Sequence, residues 1–152
     1  MSDPSKATSY LAIKAANNLI TKNDIDPKEI EMIILATATP DMQIAATAAY
    51  VATKIGASNA FGYDLQSACS GFLYAMSMAA GKIESGRYKK ILVIGADKMS
   101  TLINYEDRST CIIFGDGAGA VLFEPNKDRL GWQDEYFKSD GGDRDSLNCL
   151  LY

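Results

Sequence analysis

The chain has 152 residues, 47% of them apolar and 22% charged, with 15 Lys and Arg against 19 Asp and Glu. That balance is what one globular unit with its own core requires, and it excludes the basic footprint of a nucleic-acid binder. The complete absence of histidine removes the commonest general acid–base and the usual partner of a catalytic serine or cysteine.

The opening residues Met1-Ser2-Asp3-Pro4-Ser5-Lys6 lack the basic start and apolar run of a signal peptide. No apolar stretch approaches bilayer-spanning length, so a cytoplasmic location without membrane contact is expected. Apolar residues at Ala7, Leu11, Ala15 and Leu19 recur every fourth position and predict a helix over residues 5–22, capped by Ser5 or Asp3. After Asp26-Pro27, the unalternating run Met32-Ile33-Ile34-Leu35-Ala36 predicts a strand covered on both faces and central in its sheet. A loop over residues 37–45 leads to a small-residue helix at 46–55, ended by Gly56 in a left-handed cap.

A strand at 60–65 then runs into Cys69. Residues 70–84 are apolar almost all round, through Phe72, Tyr74, Met76, Ala79, Ala80 and Ile83, and predict a buried helix that stops at Gly86. Another unalternating strand is expected at 91–96. Ile112-Ile113-Phe114 and Ala120-Val121-Leu122-Phe123 read as two strands either side of a tight turn at Gly115-Asp116-Gly117-Ala118-Gly119. A weaker strand is expected at 132–137, before a turn at Ser139-Asp140-Gly141-Gly142. The order of elements argues for an α/β layered fold with a mixed sheet. The apolar ending Cys149-Leu150-Leu151-Tyr152 gives the expectation of a truncated chain, because native termini are usually polar and frayed.

Cys69, Cys111 and Cys149 lie far apart with no CxxC pair, so neither a disulfide framework nor a zinc site is indicated, and no metal or cofactor is expected. Cys111 reads as a small core residue, and Cys149 is given no role. Cys69 differs because it sits where a strand ends and a helix begins. Unpaired N–H groups and the helix dipole at such an elbow favour a thiolate and can receive an oxyanion, the two needs of nucleophilic acyl transfer. Ala68, Ser70 and Gly71 leave room for a substrate. Taken alone, a single cysteine in apolar surroundings is more often an inert small core residue than a nucleophile. The Gly115–Gly119 run does not read as a dinucleotide site, since that fingerprint needs a strand followed by a helix.

The stretch Asp64-Leu65-Gln66-Ser67-Ala68-Cys69-Ser70-Gly71-Phe72-Leu73-Tyr74-Ala75 resembles the active-site segment of thiolase-superfamily condensing enzymes, most closely the β-ketoacyl-acyl-carrier-protein synthase III family. Ile34-Leu35-Ala36-Thr37-Ala38-Thr39-Pro40-Asp41, Gly95-Ala96-Asp97 and Phe114-Gly115-Asp116-Gly117-Ala118-Gly119-Ala120 stand in the same order and spacing as in that family. The resemblance runs from about Ser5 to Asp140. It implies a thiolase-like fold of two similar halves, of which residues 1–152 form an incomplete N-terminal domain without its opening strand and first helical segment.

The resemblance further implies that Cys69 takes an acyl group from acyl-CoA, with its own N–H as one oxyanion donor. A His and an Asn of the second half would then assist decarboxylation of malonyl-acyl-carrier protein, whose enolate attacks the Cys69 thioester to start fatty-acid synthesis. Arg108 matches an arginine that stacks on the CoA adenine, although a solvated loop arginine is an equal reading of the residue itself. Ile44 stands where the family has a residue that closes the acyl pocket of a dimer partner, the alternative being a loop residue packed on its own core. Ala45 replaces a frequent proline, and Phe114 is implied at the substrate pocket. The strand at 60–65 would pair with its twin in a homodimer. Two other assignments remain open at this stage: a non-catalytic half that pairs with a separate C-terminal half, and another thiolase-superfamily condensing enzyme.

Overall fold

The computed structural model of the protein describes residues 6–128 and 131–142. The elements in chain order are α1 (Thr8–Lys22), β1 (Met32–Ala36), α2 (Thr47–Ile55), β2 (Phe61–Leu65), α3 (Gly71–Glu84), β3 (Ile91–Lys98) and β4 (Asp116–Phe123). The strands form one mixed sheet in the order β2-β1-β3-β4. β1 is parallel to both of its neighbours, and β4 runs antiparallel to β3.

Every residue of β1 is buried, as its lack of polar alternation predicts. Side chains alternate across a strand, so Ile33 and Leu35 face one layer while Met32, Ile34 and Ala36 face the other. The first layer joins Ala12, Ala16 and Ile20 of α1 to Ala48, Val51 and Ile55 of α2, with Leu92 and Ile94 of β3. The second packs Ala75 and Ala79 of α3 against Met32, Ile34, Ile91 and Val93. The result is three layers, helix on sheet on helix. Gly62 permits the close seat of α2 on β2: a Cβ there would meet the Ala48 Cβ at 3.0 Å and the Ile33 carbonyl at 3.2 Å. Gly56 ends α2 in the left-handed conformation, φ 81°.

Four expectations are corrected. Residues 112–114 form no strand, and residues 115–119 form no hairpin turn. β4 instead begins at Asp116 and pairs with β3 over its whole length, from Lys98↔Asp116 to Ile91↔Phe123. Among the described glycines only Gly56, Gly86 and Gly131 have positive φ, so those of the 115–119 run lie in strand conformation or lead into it. A long partner already in place at β3 outweighs the local turn signal. Cys111 accordingly lies in a turn, partly exposed, not in a core strand. No strand forms at 132–137, where Phe137 instead packs edge-on against Tyr74, ring centroids 4.8 Å apart.

The fourth correction concerns α3. Gly71, Ala75, Ala79 and Ala80 are buried, but Leu73 and Met78 are 48% and 42% exposed. The described layers cover one face of this helix and leave the other open. α1 starts at Thr8 after Ala7, which supplies no side-chain cap. Ser5, Asp3 and Cys149 lie outside the described residues.

Candidate active site

Parallel strands put their carboxyl ends on one edge of a sheet, the edge where ligands of open α/β sheets are bound. Here Ala36 of β1 stands level with Leu65 of β2 and Gly95 of β3, and Lys98 pairs with Asp116 at the start of β4. Cys69, the 37–46 loop with Ile44, and the 102–115 loop with Arg108 and Phe114 therefore all leave the sheet at this one edge.

Cys69 lies in a 3-10 turn, Ala68–Ser70, just before α3 rather than in its first turn. Its thiol is exposed, not deep in the protein as a fully buried helix would have placed it. Ala68 adopts φ 44°, a left-handed conformation that is costly for a residue with a Cβ and that concentrates at functional sites. Sequence reasoning missed this strain, since alanine carries no signal for it. The Ser70 N–H donates to the Ser67 carbonyl and the Gly71 N–H to the Ala68 carbonyl. Both are taken up in closing the elbow.

The elbow has two feet. Leu65 accepts a hydrogen bond from the Thr37 N–H at 3.1 Å, and Gly71 lies against Ala36 and Leu65. Gly95 also has a reason to be glycine: a Cβ on it would stand 3.0 Å from the ring of Phe72, the second residue of α3.

Three carboxylates fasten the loops of this edge, a role the sequence analysis did not assign. Asp64 of β2 accepts from the N–H groups of Thr47 and Ala48 at 2.7 and 2.8 Å, capping α2 from outside the helix. Asp97 of β3 accepts at one oxygen from the Thr37 hydroxyl, the Ala38 and Thr39 N–H groups and the Thr39 hydroxyl, at 2.7–3.1 Å. Asp116 of β4 accepts from both the N–H and hydroxyl of Ser100 at 2.7 Å. An aspartate inside a strand is itself a signal, because that residue is depleted there unless it has a partner to hold.

Arg108 is exposed, in a turn organised by Asp107. The hydroxyls of Ser109 and Thr110 donate to the Asp107 carboxylate at 2.5 and 2.6 Å and hold it below the usual carboxylate range. Ile44 is 100% exposed, which overturns the reading of a loop residue packed on its own core. Phe114 is partly buried, and Ile112 and Ile113 beside it are exposed. No group of ligating side chains that would suit a metal ion occurs among the described residues, and none of their helices is long and apolar enough to cross a membrane.

The mixed sheet with helices on both faces and a thiol at the elbow of its carboxyl edge is shared with solved condensing enzymes of the thiolase-like α/β class. Residues 63–141 match the 3-oxoacyl-[acyl-carrier-protein] synthase III family, and the chain belongs to that family. It is 52% identical over 134 residues to β-ketoacyl-[acyl-carrier-protein] synthase III 2 of Bacteroides thetaiotaomicron, an alignment covering 88% of this chain and 40% of the relative. Among solved structures, 3-oxoacyl-[acyl-carrier-protein] synthase III from Aquifex aeolicus superposes with a TM-score of 0.78 at 42% identity, over 81% of this chain and 40% of that one. The priming β-ketosynthase of the R1128 polyketide pathway superposes with a TM-score of 0.79 at 33% identity, over 83% and 38% of the two chains. The chain thus spans about two fifths of the length of the relatives it matches.

Proposed function

We propose that this chain carries the acyl-accepting part of a β-ketoacyl-acyl-carrier-protein synthase III. The observation that carries the reading is Cys69, exposed on a strained elbow at the carboxyl edge of a thiolase-like sheet. The Cys69 thiolate attacks the carbonyl carbon of an acyl-CoA, the charge passes to the carbonyl oxygen facing the Cys69 N–H, and CoA leaves as its thiolate. Arg108, on an exposed loop at the same edge, is the candidate for the adenine face of CoA. Ile44 and Phe114 are the candidates for the walls of the acyl pocket, Ile44 reaching that of a partner copy. β2 has β1 on one side only, and its open edge supports a homodimer. We place the protein in the cytoplasm.

In the complete enzyme the second substrate is malonyl-acyl-carrier protein. Loss of carbon dioxide leaves an enolate that attacks the Cys69 thioester and releases the Cys69 thiolate. That step builds negative charge on a thioester oxygen and needs donors aimed at it, the removal of one of which costs about 100-fold to 1,000-fold. This chain holds no histidine, so it is expected to acylate but not to condense.

Incubation with acetyl-CoA and malonyl-acyl-carrier protein, followed by mass spectrometry of protein and product, tests the reading. An acetyl adduct on Cys69, absent from Cys69→Ser, with no β-ketoacyl product is the expected result. Acylation elsewhere with Cys69 untouched would overturn the nucleophile, and β-ketoacyl product from the purified chain alone would overturn the division of labour. A second reading, a priming β-ketosynthase for polyketide synthesis, is favoured by the likeness to the R1128 enzyme. A panel of acyl-CoA primers distinguishes the two.

A further inference from the structure

We propose that Asp97 is a positioning residue for the Cys69 elbow. The inference rests on Cys69 as the reacting thiol and assigns the group that holds it in place. Asp97 never needs to touch substrate to do this. Its Oδ1 gathers four donors from Thr37, Ala38 and Thr39, and Thr39 is locked from its other side. The Thr39 hydroxyl accepts from the Lys98 N–H at 2.8 Å, and the Thr39 carbonyl accepts from the Thr8 hydroxyl at 2.5 Å.

Thr37, fixed in this way, is also the residue whose N–H holds Leu65, the last residue of β2. Gly71, which begins α3, rests on Leu65 and on Ala36, the neighbour of Thr37. Both feet of the elbow therefore stand on the end of β1, and the end of β1 is held by Asp97. Between those feet only residues 66–70 span, with the strained Ala68 immediately before the thiol. A strained conformation persists only where its surroundings over-determine it. The chain from Asp97 through Thr37 to Leu65 supplies that determination on the β2 side.

Asn keeps an acceptor oxygen where Asp97 has Oδ1, whereas Ala keeps none. Displacement of a reacting group by about 1 Å costs on the order of 100-fold, so partial release of the elbow is expected to slow acetyl transfer from acetyl-CoA to Cys69 by about tenfold. The test compares wild type, Asp97→Ala, Asp97→Asn and Thr37→Val by hydrogen–deuterium exchange over residues 66–72 and by the rate of acetyl transfer from acetyl-CoA to Cys69, with iodoacetamide labelling of Cys69 and Cys111 as the measure of thiol access. In Asp97→Ala, exchange over the elbow rises by about tenfold and acetylation of Cys69 slows by about the same factor, with iodoacetamide labelling of Cys111 unchanged. Asp97→Asn stays within about threefold of wild type at both readouts. Thr37→Val preserves shape, removes one donor to Asp97 and moves both readouts in the direction of Asp97→Ala, which keeps the proposal testable should that variant fail to fold. Unchanged elbow exchange in the folded variants overturns the proposal, and so does loosened exchange with Cys69 reactivity unchanged. The nucleophile is judged separately, by whether wild-type Cys69 is labelled before Cys111.

Discussion

Replacing Asp64 with alanine removes a helix cap that comes from a neighbouring strand. α2 begins after Ala46, which offers no side-chain oxygen to the N–H groups of the first turn, which have no partner within the helix. Asp64 supplies both of its oxygens instead, at 2.7 Å to Thr47 and 2.8 Å to Ala48. Hydrogen bonds to a charged group contribute about 1.5–3 kcal/mol each, so the pair has a ceiling of roughly 3–6 kcal/mol. Asp64 is partly exposed, and water replaces some of what truncation removes, leaving an expected loss of about 2–4 kcal/mol, above the usual range for a lost cap. In a chain of this size that corresponds to a fall in Tm of roughly 5–15 °C. Urea and thermal unfolding of wild type, Asp64→Ala and Asp64→Asn measure it. Asp64→Asn, which can accept at one oxygen and opposes the second N–H with an amide, is expected between the other two. A loss under about 0.5 kcal/mol for Asp64→Ala, the scale of an ordinary surface substitution, would refute the capping argument.

Two further expectations follow from single groups. The Tyr63 hydroxyl is buried without a hydrogen-bond partner among the described residues, and burial pushes its phenol above the ordinary value of 10.0. Tyr63→Phe should therefore leave the chain within about 0.5 kcal/mol of wild type or slightly more stable in urea, and a loss above about 1 kcal/mol would show a partner for that oxygen. The Glu31 carboxyl is held below its ordinary value of 4.5 by the N–H groups of Lys89 and Lys90. The unfolded chain takes up that proton more readily, so the stabilisation is full above the unfolded value and is lost as pH falls through the lower folded one. The stability gap between wild type and Glu31→Gln, measured in urea at about pH 7 and about pH 3, should narrow at the acid end, and a constant gap would contradict the assignment.

What could be read from the sequence was what neighbouring residues decide. β1 and α2 emerged from an unbroken apolar run and from a glycine past a helix end, and the elbow emerged from a strand pattern running directly into a helix pattern at Cys69. The 115–119 glycines were misread because a hairpin and an edge strand share the same local pattern, and only the register with β3 separates them. The open face of α3 was misread for a related reason: composition shows that a surface is apolar, not whether a layer covers it. Asp64 and Asp97 were quoted within motifs, yet their duties were hidden. Asp64 serves residues 16 and 17 positions away, and Asp97 serves residues 58–60 positions away.

The central place of β1 also sets an order of assembly. Met32 pairs with Phe61 on one side and with Ile91 on the other, so the strand can fill neither side from its immediate neighbours in sequence. During synthesis one edge of β1 must wait, with its backbone hydrogen bonds unmade, until β3 has emerged. The ensuing loop closures are long and the pairings parallel, the combination that slows folding and prolongs exposure to aggregation. α1 and α2 can shelter one face of β1 in the interval, but its second face stays open until α3 arrives. For this chain the hazardous period is the interval before β3 docks, and the hazardous segment is the same five-residue strand that later anchors the core.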